Sequence, residues 1–515
     1  MLKENSIEAR AYQTAIANTA TAKNTLCVLP TGLGKTQIAI LVAANRLASY
    51  PDSKVLILAP TRPLAEQHLH SFSKCMNLVG EQLLLVTGLI EPEKRAKLYK
   101  FATVICATPQ TIENDVEKGT LKLEDISLLV VDEVHRAVKK YAYPWIAKVY
   151  LRTAKHPRIL GLTASPGSDE TRIKDITGHL GIEAVEIRSE EDPDVKQYVQ
   201  EQEFETIRVS LDGPLLGAQV ELKLALAERL KKLREWKLNA YTKKDLLDAQ
   251  KRLQVKLAKE KRPIYYQYLS HIAETIKLWY ALELVETQSV AAAAAYADKI
   301  AEGGSRAAKR LLADERVNNT LLLLHKLKAE AIEHPKMTKL EELLREELAS
   351  NPQLKIIVFS HYRENIAAIA RRLKGVENCK PAVLIGQARK AEGGLSQKEQ
   401  IDIIRDYECD VYNTLITSPI GEEGLHLASA DLAIFYEPVA SEIRTIQRRG
   451  RVGRTKLGRI IVLVTKGTRD EANFYTAQRK EAMMKQILHK MQDENGHDVA
   501  SDVEETDGQE KLSDF

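Results

Sequence analysis

The sequence is short of cysteine, of long apolar runs and of targeting signals. Its five cysteines form no CxxC pair and are scattered along the 515 residues (Cys27, Cys75, Cys106, Cys379 and Cys409). This spacing argues against a zinc site or a disulfide framework and favours reduced, buried thiols in a cytosolic protein. No segment approaches the roughly 18 consecutive apolar residues of a membrane span, and the N-terminal MLKENSIEAR has no signal-peptide core. We therefore expect a cytoplasmic protein without membrane contact.

Length and charge indicate a multidomain protein with a basic body. A chain of 515 residues exceeds what one core normally holds, so two or three domains are expected. The last 25 residues, from Met491, hold nine acidic residues and one lysine, so the overall net charge of +4 leaves +12 for the remainder. This imbalance is typical of a polyanion-binding enzyme with a disordered acidic tail, here residues 491–515. Ordinary solubility charge is the alternative.

Apolar runs alternate with helical patterns in two separate parts of the chain. In residues 1–205 the runs are TLCVLP, KVLILAP, LLLVTG, ATVICATP, ISLLVVDE and RILGLTASP. In residues 338–490 they are KIIVFSHY, PAVLIGQ, YNTLITSP, LAIFYEP and RIIVLVTK. Such strands are typical of parallel sheets covered on both faces, whose ligands bind at the carboxyl ends of the strands. We therefore predict two α/β domains.

Residues 206–337 show no series of strands. Leucines at three- and four-residue spacing in 220–262 indicate amphipathic helices, and SVAAAAAYADKIAEGGS indicates another that ends at its glycine pair. Residues 223–262 hold fourteen Lys or Arg against five acids, a net charge of +9. We expect an all-helical insert whose basic face contacts phosphates, a merely solvated face being the alternative. The lysines chosen to represent this face are Lys231, Lys232, Lys243 and Lys244.

The segment VLPTGLGKTQIAI, residues 28–40, predicts a phosphate-binding loop between a strand and a helix. Backbone N–H groups near its glycines can surround phosphate oxygens, Lys35 supplies a positive charge, and Thr36 offers a hydroxyl to Mg²⁺. The G-x-x-x-x-G-K-[ST] pattern is incomplete because Leu29 replaces its first glycine, so a chance Gly-Lys-Thr turn is the alternative. The residues expected to bind the nucleotide are Pro30, Thr31, Gly32, Leu33, Gly34, Lys35 and Thr36.

The segment LLVVDEVH predicts the acidic half of the same site. Asp132 would hold Mg²⁺, directly or through water, and Glu133 would activate the attacking water. A helix N-cap is the alternative for Asp132.

The second α/β region lacks a Gly-Lys-Thr loop but contains the arginine-rich IQRRGRVGR. Its interrupting glycines fit a tight structure better than the alternative, a solvated basic helix. Guanidinium groups that reach the γ-phosphate from a second domain would make hydrolysis depend on closure of the cleft between the domains.

Eight motifs in order resemble those of superfamily 2 helicases. They are PTGLGKT, APTRPLAEQH, ATPQTIEND, VDEVHR, GLTASPGS, VFSHYREN, TSPIGEEGLHL and IQRRGRVGR. In addition, GGLSQKEQIDIIRDY and IFYEPVASEIRTIQRRGR resemble the archaeal Hef helicases and their eukaryotic FANCM relatives, which act on forked and branched DNA. The resemblance implies two RecA-like domains flanking a helical insert, ATP and Mg²⁺ as cofactors, and 3′ to 5′ movement on DNA.

The resemblance also implies roles for individual residues. Gln13, with Arg10 nearby, would read adenine, and the phosphate and Mg²⁺ roles fall on the loop and the acidic pair already described. His135 and residues 163–165 would couple hydrolysis to strand movement. Arg451 and Arg454 would be the arginine fingers, and Gln447 would lie at the interface. The residues that would contact the DNA strand are Thr61, Arg62, Thr108, Pro109, Gln110, Thr417 and Gly421.

The sequence departs from the family pattern in a few places. Val134 replaces the usual alanine, and His426 replaces an aspartate that helps to couple the second domain to nucleotide. No ERK-type nuclease motif is found, so we expect no DNA cleavage by this chain. A separately encoded nuclease is a plausible partner, although no residue here supports it. The alternatives to a fork-remodelling helicase are a double-stranded RNA translocase and a catalytically silent fork-binding scaffold. In an archaeal-type cell the protein would associate with the nucleoid.

The acidic tail ends in QEKLSDF, which matches the Q-x-x-h-x-x-aromatic pattern of sliding-clamp ligands. Gln509, Leu512 and Phe515 would carry the contact, with the two apolar side chains on one face of a single turn. A solubilising tail that happens to end in phenylalanine is the alternative.

Overall fold

The computed structural model describes residues 1–138, 141–198, 202–238, 241–386, 394–418, 430–439 and 458–504, with side chains in the last helix described to residue 492. Its first domain is built on a seven-stranded parallel sheet in the order β3-β4-β2-β5-β6-β1-β7. The strands are β1 Thr25–Val28, β2 Lys54–Leu58, β3 Leu83–Val86, β4 Val104–Ala107, β5 Ile126–Asp132, β6 Ile159–Thr163 and β7 Ala184–Ile187. The helices are α1 Ala11–Ala22, α2 Lys35–Ser49, α3 Arg62–Cys75, α4 Pro92–Phe101, α5 Pro109–Glu117, α6 Ala142–Thr153, α7 Glu170–Leu180 and α8 Pro193–Lys196, with 3₁₀ turns at Gly80–Gln82 and Val134–Arg136.

The inner strands of this sheet are largely apolar because both faces of the sheet are covered. In β2, Leu56 and Leu58 belong to one core cluster, whereas Val55 and Ile57 belong to the cluster on the other side. All seven residues of β5 are buried. A strand whose two faces both meet helices cannot show polar alternation, which is the pattern predicted for a parallel sheet.

The second domain is built on a six-stranded parallel sheet in the order β10-β11-β9-β12-β13-β8. Its strands are β8 Gln202–Val209, β9 Ile356–Phe359, β10 Pro381–Leu384, β11 Thr414–Thr417, β12 Leu432–Phe435 and β13 Gly458–Thr465. Its helices are α15 Pro335–Ser350, α16 Arg363–Leu373 and α17 Gln397–Glu408. The edge strand β8 pairs with β13 over eight residues, so the boundary drawn at residue 205 from the sequence falls inside a strand of the second sheet.

A bundle of helices lies between β8 and the rest of the second sheet in the chain. Its members are α9 Gly213–Glu235, α10 Lys243–Lys259, α11 Pro263–Thr287, α12 Val290–Glu302, α13 Arg306–Leu312 and α14 Glu315–Ala329. Pro263 occupies the first turn of α11, where its missing N–H costs nothing. The predicted fold class, two parallel-sheet α/β domains with an all-helical insert, is therefore confirmed.

The last described helix, α18 Arg469–Glu504, ties the two domains together. It begins four residues after β13, in the second domain. Further along, its Met484 and Leu488 are buried in the core cluster that contains Val185 and Ile187 of β7, in the first domain. The helix thus spans both domains and contributes apolar side chains to the first.

The described residues contain no helix long and apolar enough to cross a bilayer and no cluster of three or more potential metal-ligating side chains. All five cysteines are unpaired thiols. Cys27 and Cys106 lie within buried strands, and burial raises the pKa of Cys27 to about 12. These two thiols are therefore held in the protonated, unreactive form.

Candidate nucleotide and strand-binding site

The candidate site lies at the edge of the first sheet where the parallel strands end. β1 leads into the glycine loop, β5 leads into the acidic pair, and β2 and β4 lead into α3 and α5. Because β4, β2 and β5 are consecutive neighbours in the sheet and β1 lies two strands beyond β5, these segments share one edge. Ligands of such sheets bind at this edge.

The glycine loop requires glycine for a steric reason. Gly34 caps the start of α2 with φ 86°, a left-handed conformation, and a Cβ added there would lie 2.3 Å from Nε2 of Gln13. Gly32 is also left-handed, at φ 92°, but a Cβ there would meet nothing within 4 Å. The loop is therefore closely packed at Gly34 and open at Gly32, as an anion cradle made of backbone N–H groups requires. Lys35 Nζ donates to the carbonyl oxygens of Leu29 (2.8 Å) and Pro30 (3.3 Å).

Gln13 is held against this loop from α1. Its Nε2 donates to the Leu33 carbonyl oxygen (3.1 Å) and to Gln37 Oε1 (2.9 Å), and its Oε1 accepts from the backbone N–H of Arg10 (3.1 Å). The hydroxyl of Tyr12 donates to the same Leu33 carbonyl oxygen at 2.8 Å. The structure therefore brings the predicted adenine-reading residue into direct contact with the predicted phosphate loop.

Asp132 is a buried carboxylate with three polar neighbours. Its Oδ2 lies 2.9 Å from Nε2 of His68, and its Oδ1 accepts from the N–H of Glu133 at 2.9 Å. Burial acts to raise the pKa of Asp132, but the bond to His68, the charge of Lys35 and the bond to the Glu133 N–H lower it below the usual value. Asp132 is therefore ionised at neutral pH, as a ligand for a divalent cation must be.

Glu133 sits in a strained backbone conformation. Its φ of 49° and ψ of 52° are left-handed, which a non-glycine residue adopts at a cost and which is found mostly at functional sites. Its Oε2 lies 3.2 Å from Nδ1 of His135. The same His135 nitrogen is 3.4 Å from the hydroxyl of Thr163, which donates to the Ser165 carbonyl oxygen at 3.0 Å. The predicted coupling residues thus form one connected chain.

That chain reaches the last helix. The hydroxyl of Ser165 donates to Sδ of Met484 in α18 at 2.8 Å. Because α18 begins in the second domain, the acidic pair is linked through His135, Thr163 and Ser165 to an element that joins both domains.

The predicted strand-contacting residues of the first domain lie at the starts of two helices. Thr61 and Arg62 begin α3, and Thr108 and Pro109 begin α5. These helices follow the neighbouring strands β2 and β4, so their N-termini, each with a partial positive charge, open at the same edge. Gln110 is exposed, whereas Pro109 is buried. Within the described residues, Thr61 Oγ1 is buried and has no hydrogen-bond partner.

Several of the predicted site residues lie outside the part of the chain that the structure describes. They are Gly421, His426, Gln447, Arg451 and Arg454, and the tail residues Gln509, Leu512 and Phe515. Thr417 is described, at the end of β11, but it is fully buried and its hydroxyl donates to the Ser418 carbonyl oxygen at 3.1 Å. In this structure its side chain therefore does not lie at the surface, where a DNA strand would contact it.

The four insert lysines have different environments. Lys231, Lys232 and Lys244 are exposed, and Lys232 Nζ stands 5.5 Å from the ring centre of Trp236. Lys243 instead pairs with Glu283 of α11 at 2.8 Å and lies over the ring of Tyr280. Lys243 therefore contributes to packing between insert helices rather than to the free basic face.

His68 is a residue that the sequence reasoning missed. It ends the motif APTRPLAEQH, but nothing in a linear motif shows that a side chain two turns into α3 reaches the end of β5. A polar residue spaced to fall on the buried face of α3 was the available signal.

The fold and the site together define the core of a nucleotide-dependent helicase. Residues 10–173 match the family described as DEAD/DEAH box helicase, and residues 335–456 match the helicase conserved C-terminal domain. Residues 219–332 match a family described as the helical bundle of a putative ATP-dependent RNA helicase.

Individual relatives indicate which group of helicases this chain is similar to. The crystal structure of the Pyrococcus furiosus Hef helicase domain is 43% identical, with a TM-score of 0.72, over 92% of this chain and 99% of that one. The putative ATP-dependent RNA helicase MJ1505 of Methanocaldococcus jannaschii is 40% identical, over 95% of this chain and 62% of its own length. The DEAD-box ATP-dependent RNA helicase FANCM of Arabidopsis thaliana is 32% identical over 94% of this chain.

The chain belongs to the Hef and FANCM family of superfamily 2 helicases and represents its helicase portion. It spans 62% of the length of the Methanocaldococcus relative and 37% of that of the Arabidopsis protein.

Proposed function

We propose that this protein is an ATP-dependent DNA helicase or translocase that moves 3′ to 5′ and remodels forked or branched DNA. The observation that carries the proposal is the shared edge of the first sheet. There the glycine loop, the acidic pair and the starts of α3 and α5 lie on strands of one parallel sheet. Nucleotide chemistry and strand contact on one rigid sheet is what a motor driven by hydrolysis needs.

ATP and Mg²⁺ fit the residues at this edge. The open side of the loop at Gly32 leaves space for phosphate oxygens. The ionised carboxylate of Asp132 is a suitable ligand for the metal ion that accompanies a triphosphate. Lys35 and Thr36 would bind phosphate and metal, and Glu133 would orient and deprotonate the attacking water. The bound Mg²⁺ would neutralise charge that develops on the phosphate oxygens. Arginines of IQRRGRVGR would complete the site from the second domain.

The DNA contacts would be to phosphates rather than to bases. The paired N-termini of α3 and α5 suit a phosphate backbone, and so does the free basic face of the insert at Lys231, Lys232 and Lys244. Such contacts hold one strand without reading its sequence, as movement along arbitrary DNA requires.

The experiment is the ATPase rate measured with single-stranded, duplex, forked and four-way-junction DNA and with double-stranded RNA. We expect the largest stimulation by forked or junction DNA. A Lys35→Ala variant should abolish turnover and leave DNA binding largely intact, because it removes only the positive charge that would bind the phosphates of ATP. Equal ATPase in wild type and variant would refute the nucleotide-site assignment.

A double-stranded RNA translocase is the second candidate. Three similar proteins or families favour it, since the matching helical-bundle family, the Methanocaldococcus relative and the Arabidopsis FANCM are all described as RNA helicases. However, the Pyricularia oryzae relative, 33% identical, is described as an ATP-dependent DNA helicase. Stimulation mainly by double-stranded RNA would decide for the RNA candidate. A scaffold without catalysis would show no turnover with any nucleic acid.

The tail is proposed to dock on a sliding clamp through Gln509, Leu512 and Phe515. Deletion of the last seven residues should remove clamp binding and leave the ATPase unchanged. Clamp binding that survives the deletion would contradict this part of the proposal.

A further inference from the structure

The segment that leaves the first domain contacts the start of α1. Tyr198 follows the short helix α8, and the guanidinium carbon of Arg10 lies 4.4 Å from the centre of the Tyr198 ring. The rings of Tyr198 and Tyr12 are 5.9 Å apart and tilted by 56°. Tyr198 is therefore packed against Arg10 and Tyr12, which lie three residues and one residue before Gln13.

Tyr198 is fixed to the first domain. Val195 of α8 is fully buried in the core cluster that also contains Tyr12 and Ile16 of α1. The N–H of Tyr198 donates to the Val195 carbonyl oxygen at 2.8 Å, and Arg188 pairs with Asp194 at 2.9 Å. The ring is thus a platform anchored to α1, although it is 37% exposed.

Arg10 is held at two points. Its Nη1 donates to the Tyr12 hydroxyl at 3.1 Å, and its planar group lies over the Tyr198 ring. The Tyr12 hydroxyl in turn bonds to the Leu33 carbonyl oxygen of the phosphate loop. A guanidinium group has two faces, and both can stack on flat π-systems. With one face covered by Tyr198 and the group only half-buried, the remaining face can receive a purine base.

We propose that Tyr198 is a positioning residue for nucleotide recognition, whose ring holds the Arg10 guanidinium so that it stacks on the adenine base. The inference rests on the ATP site of the proposed function and on the adenine-reading role that the helicase resemblance implies for Gln13, with Arg10 nearby. Without the ring, the Arg10 side chain would keep, among the described residues, only its hydrogen bond to Tyr12, and the base would have to immobilise a flexible side chain on binding. Tyr198 should therefore affect affinity for the base and not affinity for the phosphates.

Tyr198 lies close to the point where the chain leaves the first domain for the second. Four residues later, Gln202 begins β8, the edge strand of the second sheet. The ring that contacts Arg10 thus belongs to the connection through which the chain passes from the first domain to the second.

The test compares ligands with and without a base on the full chain. Binding of a fluorescent ADP is measured, and ADP and inorganic tripolyphosphate are used as competitors. Tyr198→Ala and Tyr198→Leu should weaken ADP by roughly tenfold and leave tripolyphosphate unchanged, because a cation–π contact of this kind is lost. Tyr198→Phe keeps the ring and should behave as wild type. Tyr475→Ala is the matched control, since Tyr475 is an exposed tyrosine whose hydroxyl meets Arg208 at 3.5 Å.

The outcomes distinguish a failure of the positioning role of Tyr198 from a failure of the adenine site itself. Unchanged ADP affinity in both Tyr198→Ala and Tyr198→Leu, or an equal loss for ADP and tripolyphosphate, would overturn the positioning role. Gln13→Ala tests the underlying assignment: it should also weaken ADP selectively. If Gln13→Ala weakens ADP and the Tyr198 variants do not, the role of Tyr198 fails and the adenine site stands. If neither residue affects ADP, both fail.

Discussion

Removal of one partner of the fully buried ion pair between Lys336 and Asp470 should strongly destabilise the second domain. Lys336 Nζ, on α15, donates to Asp470 Oδ2 at 2.6 Å and to the Tyr436 carbonyl oxygen at 2.9 Å. The side chains are 0% and 1% exposed. The same Asp470 oxygen accepts from the N–H and hydroxyl of Thr465, each at 3.2 Å. The pair therefore fastens the start of α18 to β13 and α15.

Lys336→Met leaves the Asp470 carboxylate buried without its counter-charge. Removal of one partner of a buried pair costs about 3–5 kcal/mol of unfolding free energy. Asp470→Asn should cost a similar amount, since it leaves the ammonium unpaired, while the double variant should recover most of the loss because neither charge remains. The interaction energy, taken as the sum of the two single losses minus the loss in the double variant, should then be at least about 3–5 kcal/mol.

The loss in Lys336→Met should depend on pH. Burial raises the pKa of Asp470 above its usual value of 3.8 in the folded protein, so the folded state binds this proton more tightly than the unfolded chain does. Stability therefore falls as pH rises through the raised pKa, and without Lys336 this fall is larger. The deficit of the variant should be smallest below pH 3.8.

The assay is equilibrium unfolding in urea, followed by the fluorescence of Trp279. This ring lies 4.5 Å from the guanidinium carbon of Arg469, the first residue of α18, so it reports on this junction. Trp145 and Trp236 are replaced by phenylalanine in all variants. Lys155→Met is the matched control, because Lys155 forms an equally short pair with Asp125, at 2.7 Å, that is exposed. A double variant as unstable as the sum of the single variants would refute the reasoning.

Three further predictions concern the site and the insert. Charge reversal at Lys231 and Lys244 should weaken fork binding and flatten its dependence on salt, whereas Lys243→Ala should mainly lower stability; an unchanged salt slope would mean that the exposed face is only solvated. His68→Ala should raise the Mg²⁺ concentration for half-maximal ATPase by about tenfold, because Asp132 loses its orienting partner, and a magnesium titration that matches wild type would contradict this role. Gly34→Ala should abolish nucleotide binding, since the new Cβ would collide with Gln13 in a left-handed backbone, and normal binding of a fluorescent ADP would disprove it.

Much of the architecture could be predicted from local sequence. All eleven apolar runs correspond to strands, because burial on both faces leaves a continuous apolar signature that needs no knowledge of neighbours. The helix Val290–Glu302 ends at the predicted glycine pair because glycine is a common residue at the C-terminal end of a helix, which is also a local property of the sequence. The loop around Lys35 and the pair Asp132–Glu133 were also predicted, since each is a short motif at the end of a strand.

Two strands escaped prediction. β7 and β8 lie at edges of their sheets and contain charged residues, including Glu186 in β7 and Glu203 and Glu205 in β8. These charges interrupt the apolar run, so periodicity alone does not distinguish the two strands from loops, whereas the edge strands β3 and β10 remain apolar and were predicted.

The sequence by itself determined the helicase motifs, the strand and helix rhythm of both sheets, and the helical character of the insert. Only the tertiary structure decided that β8 joins the second sheet, that Met484 enters the core of the first, that His68 reaches Asp132 and that Tyr198 covers Arg10. The physical reason is that local sequence encodes backbone conformation and which side chains are apolar. The partner of a side chain far away in the chain depends on how complete elements pack, and that information is spread over the whole sequence.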